Sequence, residues 1–222
     1  ECLVGSEMCI RDRLKDVQME YLQEKFDKKG LMILYTAPWP GQGFYTKFPV
    51  NSVSDFSGKK LRIYSTATQQ MGSMLGFNAT ILPFAEIPQA FSTGLIEALF
   101  TSPQTGIDIQ AWDNTKHFTY AGAIFSKNAV VVTKKAFNAL SKGDQSNMLA
   151  AAKKAELRGW EMSAETTKKQ IDILKKNGMS SKNAPDEVIS KMKSIGLEMM
   201  KNWRSKASPE ANAVLDRYLS MR

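Results

Sequence analysis

A socket for a small carboxylate needs a guanidinium, a few hydroxyls and an apolar wall, and this 222-residue chain carries those residue types where strands are expected to end. In "KKLRIYSTATQQ", Arg62 lies inside a strand-like run, and Thr66 is placed to cap the helix that follows, with Gln69 three residues on as its capping-box partner. In "EALFTSPQTG", Thr101 and Ser102 close a second strand and Pro103 opens a helix, so that small hydroxyls and helix N–H groups face one crevice. Phe84, at the end of "ATILPF", supplies the wall. The planar fork of an arginine takes a carboxylate through two parallel hydrogen bonds. In a parallel α/β sheet, ligands occupy the crevice beyond the carboxyl ends of the strands, where helix N-termini also point. Spacing alone leaves a second reading of Arg62, a surface strand arginine paired with an acid.

Other chemistries find little to work with. The single histidine, His117, follows Lys116 in what reads as a polar turn, a place for a surface or capping role. No phosphate loop, nucleophile elbow or H-E-x-x-H occurs, and "GQG" at Gly41–Gly43 lacks the rest of a dinucleotide motif. Glu86, Glu97, Asp108 and Asp113 are scattered and pair with no base. No catalytic residue, metal or cofactor is expected, although a Rossmann-like α/β enzyme acting on a small acid stays open as an alternative.

The elements that must position these residues follow from hydropathy pattern. Short strand-like runs alternate with helical ones from Gly30 to Val132: "LMILYTA", "KLRIYS", "ATILPF", "EALFTS" and "NAVVVT", with helices "TATQQMGSMLG", "AEIPQAFSTGLI" and "TGIDIQAW" among them. That alternation predicts βαβ units and a mostly parallel sheet. Beyond Lys142, Leu149, Ala152, Glu156, Trp160, Ala164, Thr167, Ile171 and Leu174 step by three or four up to the stop signal "KKNG". A helix from Gly143 to Asn177 would be roughly 50 Å long at 1.5 Å per residue, enough to span two lobes. Further helices are predicted around Glu187–Trp203 and after Ser208, an N-cap followed by Pro209.

A formal charge of +8 raises nucleic-acid binding as a further alternative. From Leu14 to Thr133, ten Lys and Arg stand against nine Asp and Glu, whereas from Lys134 to Arg222 eighteen stand against ten. The basic residues there, among them Lys153, Lys154, Lys168, Lys169, Lys175 and Lys176, are interleaved with helix formers and not with aromatics, the pattern of a solvated helical face. No nucleic-acid partner is expected.

The opening residues are anomalous. Leu3–Arg13, "LVGSEMCIRDR", has neither helical nor strand period, and back-translated in one frame it resembles a sequencing-library adapter. The native chain is therefore expected to start near Leu14, residues 1–13 are expected to make no stable contact with the core, and a signal peptide is expected to have been lost ahead of it. Both cysteines, Cys2 and Cys9, lie in this segment, which leaves no thiol chemistry for the remainder.

The run "DFSGKKLRIYSTATQQMGSMLGFNATILPFAEIPQAFSTGLIEALFTSP" closely resembles the central segment of the DctP-type extracytoplasmic solute receptors of TRAP transporters. Asp55, Gly58, Lys60, Arg62, Gly76, Pro83, Glu86, Ala90, Gly94 and Glu97 match its ordered pattern. The resemblance implies an α/β, two-lobe periplasmic binding protein, type II-like, with a long connecting helix, its first lobe incomplete here. Residues 14–39 and 128–167 would be the remnant of the first lobe with the connecting helix, and residues 40–127 and 168–222 the second. The strand "LMILYTA" and part of the long helix would then carry uncovered apolar surface. The resemblance also implies a monomer in the periplasm that binds a small organic acid through Arg62 and hands it to a sodium-coupled membrane permease. "APWPGQGFYT" and "FSKNAVVV" look like lobe-crossing strands, which puts Trp39, Gln42 and Asn128 near the cleft; Trp112 is either a lid aromatic or a core helix residue. Where many relatives carry D-G-x-E-N, this chain has "EALFTS", so Thr101 stands in place of the ligand-contacting Asn and a dicarboxylate ligand is not implied.

Overall fold

The computed structural model describes residues 7–221, with side chains from Arg13 onward except that of Ala164. In chain order the first elements are α1 (Glu7–Asp27), β1 (Leu31–Pro38), β2 (Gly43–Thr46), β3 (Lys60–Ile63), α2 (Thr66–Met74), β4 (Asn78–Ile81), α3 (Ile87–Ser92), β5 (Ala98–Thr101) and α4 (Pro103–Asp108). They are followed by β6 (His117–Tyr120), β7 (Lys127–Thr133), α5 (Lys134–Asn138), α6 (Lys142–Lys176), β8 (Ser180–Asn183), α7 (Asp186–Arg204) and α8 (Pro209–Ser220). Contacts divide the chain into two compact units, one of residues up to Trp39, Phe125–Glu165 and from Trp203 on, the other of Pro40–Ile124 and Thr166–Asn202.

In the first unit β1 and β7 form an antiparallel pair running from Leu31 opposite Thr133 to Pro38 opposite Lys127, with a register slip between Ile33 and Tyr35. Thr36 directs both its backbone N–H and its hydroxyl to Oε1 of Glu156 on α6, at 2.9 and 2.8 Å. Lys15 of α1 reaches Oε2 of the same carboxylate at 3.1 Å and lies 5.0 Å above the Trp160 ring. Burial alone would push the Glu156 carboxyl up, but these donors outweigh it and hold it below its ordinary value. Lys127, at the end of the ladder, goes the other way: burial, reinforced by the charge of Lys15, draws its amine down to about 8. Val131, Leu149, Leu157 and Met162 present exposed apolar side chains in this unit.

Two expectations change here. Residues from Trp203 on belong with the first unit and not with residues 168–202, because α8 packs on α1. The opening segment also differs: Cys2–Ser6 lie outside the described residues, but α1 starts at Glu7, and the Arg13 guanidinium donates to the carbonyl of Met221 beyond α8. Arg13 is therefore in contact with folded structure.

The second unit holds a six-stranded sheet in the order β4-β3-β5-β2-β6-β8. β3 is parallel to β4 and β5, and β6 to β8, while β2 runs antiparallel to β5 and β6. Five of the six strands therefore run in one direction, as the alternation of strands and helices predicts, and only the four-residue β2 opposes them. Side chains alternate sides along each strand. Phe44, Leu61, Ile63, Ala98 and Phe100 enter one core with Phe56, Phe77 and the α7 residues Val188, Met192 and Ile195. Tyr45, Leu99 and Phe118 enter the other, against Ile87, Ala90 and Phe91 of α3, with Leu174 from the end of α6. Both faces are thus covered, and every residue of β2 and β5 is buried. On α6 the apolar spacing holds at Ala152 and Leu174, both buried, whereas Leu149 is exposed. Lys153, Lys154, Lys168, Lys169, Lys175 and Lys176 are all exposed, as expected of a solvated helical face.

Helix starts are locally encoded. Ser208 caps α8 and Ser102 caps α4, each accepting a backbone N–H from three residues on, with proline at the first turn. The cap of α2 is Ser65 and not Thr66; it shares a capping box with Thr68. The helix begins one residue early because the Ser65 backbone is already extended, the geometry a cap requires. His117 opens β6 opposite Thr46 and does not sit in a turn.

Gly106 shows how tightly the second face is packed. A Cβ there would lie 2.0 Å from the Tyr45 hydroxyl oxygen, whose hydrogen is directed at the carbonyl of Ser102, 3.2 Å away. Gly106→Ala is expected to destabilise the chain by about 1–3 kcal/mol through overpacking, and Tyr45→Phe by about 1 kcal/mol through the lost hydrogen bond, as measured by urea denaturation. Lys127→Met should raise the Tm near neutral pH. A lysine whose folded-state value lies near 8, below 10.5, binds its proton less well when folded, so native stability rises as pH climbs from about 8 toward 10.5. Thermal melts across that window should show the rise in the wild-type chain and its loss in Lys127→Met.

Candidate carboxylate-binding site

The β3 sequence "KLRI" places Leu61 and Ile63 in the first core, so alternation turns Arg62 onto the opposite face. In register Arg62 stands beside Leu99 of β5 and Thr80 of β4. Arg62 is only 5% exposed. Its Nε–H donates to the carbonyl of Leu82 at 3.0 Å, just past the end of β4, and its Cζ lies 6.0 Å from the centre of the Tyr64 ring. No carboxylate among the described residues is within ion-pair distance of Arg62, and its terminal N–H groups make no hydrogen bond within the protein there. The alternative reading, a strand arginine paired with an acid, finds no partner among the described residues. Burial lowers the guanidinium's affinity for its proton from an ordinary value so high that it remains charged.

Thr101 and Ser102 follow at the end of β5 and are 6% and 2% exposed. Thr101 lies two residues beyond Leu99, hence on the Arg62 face of the sheet. Ser102 is occupied structurally, since its Oγ accepts the Thr105 N–H at 3.2 Å and lies 3.1 Å from the Thr105 hydroxyl. Gln42, 2% exposed, accepts a hydrogen bond from the Tyr64 hydroxyl at 2.9 Å, and its backbone carbonyl takes N–H groups from Ala121 and Gly122.

The second unit therefore groups Arg62, Thr101, Ser102 and Gln42 at strand ends, and it adds Tyr64, which no motif singles out. The available signal was parity, since Tyr64 is two residues from Arg62 at the end of the same strand. Phe84 sits in a short 3-10 turn (Phe84–Glu86) two residues past Leu82 and is 52% exposed. Trp112 lies in the 3-10 turn Ala111–Asp113, half-buried against the second core. Trp39 and Asn128 belong to the first unit; Trp39 donates its backbone N–H to Ser126, and Asn128 is exposed opposite Ala37. A groove of about 260 Å³ runs beside α3, lined by Glu86, Gln89, Ala90, Thr93 and Leu95, and none of the candidate site residues Arg62, Phe84, Thr101, Ser102, Gln42 and Tyr64 lines it.

Among the described residues no helix is long and apolar enough to cross a membrane. The family profile of the bacterial extracellular solute-binding proteins, family 7 (DctP), matches residues 10–206. Among solved structures, the chain is 37% identical to DctP7 of Bordetella pertussis, an extracytoplasmic solute receptor binding pyroglutamic acid, covering 95% of this chain and 70% of that one with a TM-score of 0.92. DctP6 of the same organism, which also binds pyroglutamic acid, is 33% identical over 96% of this chain and 71% of its own, with a TM-score of 0.92. A TRAP solute-binding protein from a marine metagenome, specific for pyroglutamate, is 31% identical over 96% and 70%, with a TM-score of 0.90. The mixed α/β fold, the buried strand arginine and these likenesses agree, and the chain belongs to the DctP family of TRAP-type solute receptors, which are binding proteins of transporters and not enzymes.

Proposed function

We propose that this receptor captures a small monocarboxylate of the pyroglutamate class, with Arg62 as the carboxylate clamp. The observation that carries the reading is a buried guanidinium without a carboxylate beside it among the described residues, its one internal hydrogen bond spent on the Leu82 carbonyl. A desolvated cation of this kind is completed by an anionic ligand that restores the lost hydrogen bonds. Pyroglutamate offers one carboxylate for one arginine, together with a lactam N–H and C=O that a hydroxyl such as that of Thr101 can serve as either acceptor or donor. Thr101 in place of a longer amide suits a compact ring better than an extended diacid. Three relatives at 31–37% identity that bind pyroglutamate support the same class. In this reading Phe84, exposed beside the Leu82 turn, flanks the ligand; Ser102 shapes the end of β5 by capping α4; and Trp39 and Asn128 are further ligand contacts. The receptor works in the periplasm as a monomer and delivers its ligand to a sodium-coupled permease.

Two measurements test this. L-pyroglutamate should raise the Tm of the purified chain, since a ligand that binds only the folded state stabilises it, while 2-pyrrolidinone, the same ring without the carboxylate, should not. By calorimetric titration Arg62→Ala should cost about 2–5 kcal/mol of binding, because the ligand carboxylate is then buried unpaired. Arg62→Lys should fall between, keeping the charge and losing the fork. Equal affinities for wild type and both variants would remove Arg62 from the site.

A further inference from the structure

We infer that Tyr64 is a positioning residue for the Arg62 guanidinium, anchored in turn by Gln42, so that Gln42 acts on the ligand through Tyr64 and not by touching it. The inference rests on the reading of Arg62 as the clamp. Three restraints converge on one planar group. The Nε edge is fixed by the Leu82 carbonyl at 3.0 Å. One side of the group faces the Tyr64 ring, with Cζ 6.0 Å from its centre, at the outer limit of a cation–π contact. The ring is itself held at its far end, where its hydroxyl donates to Oε1 of Gln42 at 2.9 Å. Gln42 is buried, and its backbone carbonyl accepts the N–H groups of both Ala121 and Gly122, so the anchor is built into the strand entry and not onto a loose loop.

The consequence is a fork held in one plane before ligand arrives. An arginine free to sample rotamers pays their loss on binding, and a pre-oriented one does not. The arrangement also sorts roles chemically: the terminal N–H groups of Arg62 have no hydrogen-bond partner among the described residues, while its Nε and its face are already committed. Tyr64 is half-buried, with one side toward Arg62 and its tip toward Gln42, as a spacer between a fixed amide and the cation it positions would be.

The test separates positioning from packing and from direct ligand contact. Tyr64→Phe keeps the ring and removes the anchor; Tyr64→Leu removes both. In the ligand-free chain, exchange of the Arg62 Nε–H with solvent, followed by NMR, should quicken in Tyr64→Leu and to a smaller degree in Tyr64→Phe, with Tm nearly unchanged for the isosteric Phe variant. Calorimetry with L-pyroglutamate should show about a tenfold loss of affinity for Tyr64→Leu, the scale of a lost partly desolvated cation–π contact, and a smaller loss for Tyr64→Phe. Both losses should vanish in an Arg62→Ala background, where there is no guanidinium left to position. Unchanged Nε–H exchange, or a Tyr64 effect that persists in Arg62→Ala, would overturn the inference. A wild-type chain that binds no pyroglutamate but shows the exchange effect would overturn the substrate reading and leave the positioning role standing.

Discussion

Placing a guanidinium on the inner face of a sheet costs solvation that the surrounding groups must largely return, and the second unit is organised around that constraint. Arg62 occupies a position where alternation along β3 demands an inward side chain, beside Leu99 of β5 and Thr80 of β4. Leu82 returns one hydrogen bond and Tyr64 offers its ring face. No acid among the described residues supplies the balance, and that is the observation on which the proposed ligand carboxylate rests.

The sheet makes this geometry stiff. Because β2 runs antiparallel between β5 and β6, the end of β5 and the start of β2 lie side by side, with Gly43 opposite Thr101. A Cβ on Gly43 would meet the Thr119 carbonyl oxygen at 2.5 Å, so glycine is required there by packing and not by any phosphate-binding role. On the far face the Phe44 ring of β2 lies 4.8 Å from the rings of both Phe56 and Phe100 of β5, so β2 and β5 have little freedom to shift relative to one another. Site residues carried on strands held in this way are more precisely placed than residues on loops.

The first unit solves a different problem by polar means. Glu156, in the middle of a 35-residue helix, gathers Thr36 of β1 and Lys15 of α1 on its two oxygens. A carboxylate with three donors holds three elements at once, which apolar contacts alone would do with less directional control. Lys127 nearby has burial without an equivalent set of acceptors, and its lowered affinity for a proton is the result.

Much of this was legible along the chain. The strand runs around Arg62, Ile81 and Thr101, the proline-led helices after Ser102 and Ser208, and the long helix from Lys142 follow from local patterns, because period, capping and proline placement act within a few residues. The ordered run from Asp55 to Glu97 carried the family. What local pattern could not reach were the four-residue strands β6 and β8, whose identity depends on neighbours distant in sequence, and the antiparallel direction of β2, the end of the run "APWPGQGFYT". Nor could it reach the docking of α8 on α1, since the pattern along a helix marks which residues favour burial and not which distant helix covers them. For the site, the sequence by itself determined that an arginine with nearby hydroxyls would end the strands. Only the tertiary structure decided that no acid among the described residues pairs with this arginine, that Ser102 is occupied by its helix, that Trp112 packs against the second core and that Tyr64 stands between Arg62 and Gln42, because each of these depends on which distant groups come within about 3–6 Å of one another.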